Sequence, residues 1–136
     1  MLHRIKKEND VNKDKWIGVG GGFMENESPA DCAKRETFEE TGLKLGVLKL
    51  RCLVTFVIEG GECEQMFVFT TTDFSGSIKK DCNEGELEWI EKNRLYDMDI
   101  WEGDKIFLKR IENPDEPFFT LKLVYDKKGN LISAQD

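Results

Sequence analysis

Histidine is nearly absent from this chain of 136 residues: His3 is the only one, and it lies at the amino terminus. A histidine general base or a histidine-rich metal site is therefore not expected. The four cysteines (Cys32, Cys52, Cys63 and Cys82) form no Cys-x-x-Cys pair. A zinc or redox centre has no support, and reduced thiols of a reducing compartment are the expectation. No apolar run approaches the roughly 20 residues of a membrane span. The opening MLHRIKKEND has no apolar core of a signal peptide, so a cytoplasmic address is the default expectation. There are only three prolines. With no Pro/Ser linker, low-complexity stretch or internal repeat, residues 1–136 read as one domain. Positive charge is in deficit, 20 Lys and Arg against 27 Asp and Glu, a net charge of -7. Such a surface repels a nucleic-acid polymer or an anionic membrane. A phosphate-bearing substrate would need divalent cations to bridge it to the carboxylates.

What is present reads as strands with two helices. Residues 6–15 are polar and loop-like, and 16–19 form a short apolar piece before Gly20-Gly21-Gly22. A helix follows: Ser28 is the N-cap, Pro29 the first helical residue, and Asp31, three past the cap, suits the helix dipole. It runs through Thr41, with Gly42 as the left-handed residue that ends it. Residues 48–58 and 65–71 are rich in Val, Phe, Thr and Leu and read as a hairpin around Glu59-Gly60-Gly61-Glu62. Residues 86–90 read as a strand and 101–111 as a second helix. Strands at 118–125 and 131–134 flank a turn at 126–130. The expected class is α/β (α+β), built around a mixed β-sheet.

The chemistry concentrates between Gly21 and Leu43. Glu36, Glu39 and Glu40 fall at i, i+3 and i+4, so their carboxylates share one helix face. Like charges at that spacing repel by a few tenths of a kcal/mol per pair. A divalent cation reverses the sign, and magnesium prefers such hard oxygen ligands. A solvated acidic helix face is the plainer alternative. The glycine triplet lets backbone pass close to a ligand, and Glu27 is placed to make a bidentate pair with Arg35.

The spacing Gly21, five residues, Glu27, seven residues, Arg35-Glu36, two residues, Glu39-Glu40, one residue, Gly42-Leu43 resembles the Nudix box of the Nudix hydrolases. Even six of these positions matching by accident, at about 7% each, is roughly a one-in-ten-million event per register. The resemblance implies an enzyme that cleaves phosphoanhydride bonds, a Nudix α/β/α sandwich, and Mg²⁺ or Mn²⁺ held by Glu36, Glu39 and Glu40. It implies that Glu36 or a glutamate on a later loop deprotonates the attacking water. It makes Glu27, Arg35 and Gly42 structural, and Gly21 and Gly22 part of the substrate loop. Three positions depart from the box: Thr37 replaces an aliphatic residue, Asn26 a common glycine, and Gly22 a common lysine.

Beyond the box, the order KWIGVGGG, CLVTFVIEG, ECEQMFVFTT, EGELEW and IWEGDKIFL is similar to the MutT-like, oxidised-purine nucleoside triphosphatase branch, the 8-oxo-dGTP diphosphatases. That similarity points to Glu84, five before Trp89, as the later metal-binding and catalytic glutamate, with Glu86 as the alternative. It assigns Trp101 and Asp104 to the purine, by stacking and by reading its Watson–Crick edge. Core packing is the alternative for Trp101, and helix capping for Asp104. Ile17 and Gly103 stand where mammalian members carry an asparagine and an aspartate. The expected reaction is pyrophosphohydrolysis of a nucleoside triphosphate, by a monomer or homodimer acting in nucleotide-pool sanitation. Rival readings are hydrolysis of ADP-ribose or a dinucleoside polyphosphate, and an inactive nucleotide-binding domain. Relatives generally have a strand ahead of the segment matching MLHR. Its apparent truncation here leads to the expectation of an unpaired central edge and lowered stability.

Overall fold

The computed structural model describes residues 1–136. In chain order the elements are β1 (Leu2–Arg4), β2 (Trp16–Ile17), α1 (Pro29–Thr41), β3 (Lys44–Leu45), β4 (Lys49–Ile58), β5 (Cys63–Thr70), β6 (Phe74–Ser75), β7 (Asp81–Cys82), β8 (Gly85–Leu87), α2 (Lys92–Leu95), α3 (Glu102–Ile111), β9 (Phe119–Tyr125) and β10 (Leu131–Gln135). They fall into two compact units, residues 1–48 with 71–100 and residues 49–70 with 101–136. The class is mixed α+β, as expected, and no helix is long and apolar enough to cross a membrane.

In the first unit, four strands form an antiparallel sheet in the order β2-β1-β8-β7, and β3 pairs β6. The expected unpaired central edge is not there. Leu2–Arg4 is itself an interior strand, with β2 on one side and β8 on the other, and Leu2 is 1% exposed. β8 is shorter than the strand expected at 86–90 because it can extend only as far as three-residue β1 offers partners. The helix α1 starts and stops where its signals place it. Ser28 Oγ accepts the Asp31 N–H and Asp31 reciprocates to the Ser28 N–H, a closed capping box. Gly42, at φ 85°, ends the helix and returns its N–H to the Phe38 carbonyl.

In the second unit, β10-β9-β4-β5 form a mixed sheet, with β4 parallel to β9 and the other pairs antiparallel. Alternation sets the buried face. Phe119, Leu121, Leu123 and Tyr125 point inward from β9 while Thr120 and Lys122 point out, and Cys52 and Val54 join them from β4. The β4–β5 hairpin turns at Gly60, φ 72°, within the expected segment. The helix α3 begins at Glu102, with Trp101 as its N-cap, one residue inside the expected boundary. It lies tight on β9: a Cβ on Gly103 would fall 2.5 Å from both Leu123 Cδ1 and Tyr125 Oη. The Gly103 N–H donates to that same Tyr125 hydroxyl at 2.7 Å. An aspartate at position 103 has no room here, which accounts for the glycine.

Candidate active site

The site is built on α1. Because the helix fixes spacing, Arg35 reaches both the loop before it and the turn after it. Its Nε and Nη2 donate to the two oxygens of Glu27, the pair expected from sequence, and Nη2 also donates to the Gly22 carbonyl at 3.1 Å. Glu27 takes the Met24 N–H at 2.9 Å as well. The Arg35 bonds, and then that backbone bond, hold the Glu27 carboxyl below the usual carboxylate range. The same arginine extends Nη1 to Glu36 at 2.8 Å and to Glu39 at 3.1 Å. Arg35 thus tethers loop to helix and also covers two of the candidate metal ligands.

Asn26 explains one departure from the box. It sits at φ 66°, in the left-handed region where glycine is free and asparagine is the best-tolerated substitute. Cys32, buried, donates its thiol to the Gly21 and Gly22 carbonyls at 3.4 and 3.5 Å, tying the glycine loop to the helix. A Cβ on Gly21 would lie 2.5 Å from the Glu36 carboxyl carbon, whereas Gly22 has open space around it. A side chain at Gly21 would thus displace the Glu36 carboxyl, whereas one at Gly22 would meet nothing within the chain.

The third glutamate of the face is different. Glu40 is partly buried and accepts the Gly20 N–H at 3.0 Å. Its carboxyl is pushed up to about 7, first by burial and further by the charges of Glu84 and Glu36, against the opposing Gly20 bond. Glu36 and Glu84 are thus near enough to Glu40 to act on its ionisation. Glu84 is a later glutamate whose charge reaches it. Glu84 is held by Arg4 at 3.1 Å. As the side chains are arranged, no three acids converge on one point; Arg35, the Gly20 N–H and Arg4 occupy their oxygens. The donor set nevertheless suits a hard divalent cation, since it offers carboxylate oxygen alone and carries crowded negative charge.

The remaining sequence candidates lie in the second unit. Trp101 is 7% exposed, with its ring edge-on to Tyr125 at 5.0 Å and to Phe56 at 5.7 Å, and Gly129 packs against it. These contacts cover most of its ring. Asp104 is partly buried in the first turn of α3. Ile17 is in β2 and pairs with Leu2.

A family model described as NUDIX domain matches residues 1–111. The chain belongs to the Nudix family. Among curated proteins, the Nudix chain is 30% identical over 93 residues to an uncharacterized Nudix hydrolase, YvcI, of Bacillus subtilis, covering 65% of this chain and 59% of that protein. It is 27% identical over 99 residues to the oxidized purine nucleoside triphosphate hydrolase of Mus musculus, covering 72% and 63% respectively. The chain therefore spans about three fifths of the length of these relatives. Among solved structures, a MutT protein from Bacillus halodurans superposes with a TM-score of 0.83 at 28% identity, covering 89% of this chain and 81% of that one.

Two groups at the Nudix site have no sequence signal. The Gly20 N–H that binds Glu40 is a backbone group, and Arg4 is one of several cations near the amino terminus, 80 positions from Glu84. Nothing local in sequence connects either to the box.

Proposed function

We propose that residues 1–136 form one catalytic domain that hydrolyses a phosphoanhydride bond of a purine nucleoside triphosphate, with 8-oxo-dGTP or a related oxidised nucleotide as substrate. The products are the nucleoside monophosphate and pyrophosphate. The observation that carries this reading is the Glu40 carboxyl, part-buried against Glu36 and Glu84 beside the glycine loop and pushed up to about 7. A carboxyl so destabilised, within reach of two further carboxylate charges, is matched to a cation and to proton transfer near neutral pH. Glu36, Glu39, Glu40 and Glu84 would hold Mg²⁺ or Mn²⁺, which when bound supplies Lewis acidity toward the phosphoryl oxygens.

Within this reading, Gly21 and Gly22 offer backbone to the phosphates. Glu36 or Glu84 accepts the proton of the attacking water, and Arg35 with Glu27 fixes the loop on which the phosphates rest. Trp101 and Asp104 are assigned to the purine. The choice of an oxidised purine is supported by similarity to the mouse protein. The net charge of -7 favours a small anionic substrate delivered with its cation over a nucleic-acid polymer or a membrane. A cytoplasmic monomer or homodimer completes the proposal.

The test is release of pyrophosphate and phosphate from 8-oxo-dGTP, dGTP, ADP-ribose and diadenosine tetraphosphate with Mg²⁺, alongside Glu39→Gln and Glu40→Gln. Pyrophosphate from 8-oxo-dGTP, reduced about 100-fold or more in both variants, is the expected result. Preference for ADP-ribose or the dinucleotide would overturn the substrate and keep the hydrolase. Nucleotide binding without turnover would overturn the hydrolase itself.

A further inference from the structure

Arg4 is pinned from several directions. Its backbone N–H donates to the Lys15 carbonyl at 3.0 Å and its carbonyl accepts the Asp14 N–H at 2.7 Å. In the sheet it pairs with Gly85, where any Cβ would overlap the His3 carbonyl, so the two strands approach this closely only with glycine there. The close approach brings Glu84, the preceding residue, beside the Arg4 side chain. Arg4 Nε donates to Asp10 Oδ2 at 2.7 Å and Nη1 to Glu84 Oε2 at 3.1 Å. The Asp10 side chain is only 6% exposed, and its other oxygen takes the Asn12 N–H at 3.0 Å. Lys7 Nζ stands 3.8 Å from the second Glu84 oxygen. The Arg4 charge also acts on Glu40, in the sense opposite to that of Glu84. A fixed monovalent cation therefore stands among the carboxylates that the proposed reaction needs.

We infer that Arg4, anchored by Asp10, is a positioning residue that holds Glu84 and competes with a divalent cation for its carboxylate. Arg4 compensates the negative cluster when no cation is present, and it sets the cation concentration at which Glu84 is released to the site. This rests on reading the cluster as a divalent-cation site. A purely structural arginine would behave differently. Its loss would loosen the sheet and weaken cation binding, whereas loss of a competitor strengthens it.

The experiment is Mn²⁺ titration of the nucleotide-free protein by electron paramagnetic resonance, for wild type, Arg4→Met, Glu84→Gln and the double variant. Removing a partly exposed ion pair of this kind should tighten Mn²⁺ binding about fivefold in Arg4→Met. That gain should largely vanish in the Glu84→Gln background, because the effect runs through Glu84. Arg4→Lys keeps the charge but not the two-armed grip. It provides the fold-preserving comparison if Arg4→Met unfolds, and should show a smaller gain of the same sign. Unchanged or weaker Mn²⁺ binding in the Arg4 variants, or an equal gain with and without Glu84, would overturn the inference and leave the hydrolase reading intact. A wild-type protein that binds no Mn²⁺ would overturn both.

Discussion

The two units of this protein are held together by different physics. The second, residues 49–70 with 101–136, is an apolar construction: long strands, strict alternation in β9, and Val54, Leu123 and Tyr125 with no exposed surface. The first, residues 1–48 with 71–100, has strands of two or three residues and is laced by charge. Arg35 serves three glutamates, and Arg4 joins Asp10 to Glu84. Apolar burial is non-directional and scales with area, so it stabilises a unit but places no particular atom. Charge-assisted hydrogen bonds are directional and place side chains closely, at the cost of sensitivity to pH and ions. The unit that carries the candidate chemistry is the one built from directional contacts.

The largest effect that could break this comparison is a cavity in the apolar unit. Leu123→Ala removes a fully buried side chain against which Gly103 packs, and should cost about 2–5 kcal/mol in urea unfolding. Turnover per folded molecule should stay close to wild type. A loss of turnover out of proportion to unfolding would show that the chemistry depends on the apolar unit as well.

A smaller effect should appear in the charged unit and depend on pH. A glutamate ionises near 4.5 when unperturbed, while Glu40 in the folded chain ionises near 7. The folded state therefore binds more protons between those values, and stability of the cation-free protein falls as pH rises from about 4.5 to about 7, then levels. The size should be on the order of 1 kcal/mol, because solvent reaches part of the carboxyl. Thermal melts in a chelator at pH 5 and pH 8 measure it. Glu40→Gln should flatten that slope, and a slope unchanged by the substitution would assign it to other groups.

The smallest effect concerns the box loop. Asn26→Val forces a β-branched residue to φ 66° and should cost about 1–2 kcal/mol, whereas Asn26→Gly should be neutral within a few tenths. Equal melting temperatures for the two would mean that the loop relaxes out of the left-handed conformation.

Much of the box was legible because its determinants are local. Ser28, Asp31, Arg35 and Gly42 act over one to four helical turns, where 3.6 residues per turn converts spacing directly into geometry. The Glu27–Arg35 pair was legible because Glu27 stands just ahead of the N-cap, within reach of the helix face that carries Arg35. Legibility faded where a strand depended on a distant partner. The shortness of β8 and the interior place of Leu2–Arg4 depend on each other, and neither segment has enough length or alternation to announce itself. Trp101 shows a different limit, since an aromatic residue at a helix start suits both a ligand face and a core, and its packing against Phe56 and Tyr125 is a tertiary fact.

By itself the sequence determined the helix with its caps, the shared face of Glu36, Glu39 and Glu40, the family, and the alternating strands of the apolar unit. Tertiary structure alone decided that Glu40 is destabilised and what holds Glu84. Glu40 owes its perturbed carboxyl to burial, Glu84 and Glu36, and Glu84 owes its position to an arginine 80 residues away. Ionisation depends on desolvation and on charges a few ångströms distant, and only the folded chain sets those distances.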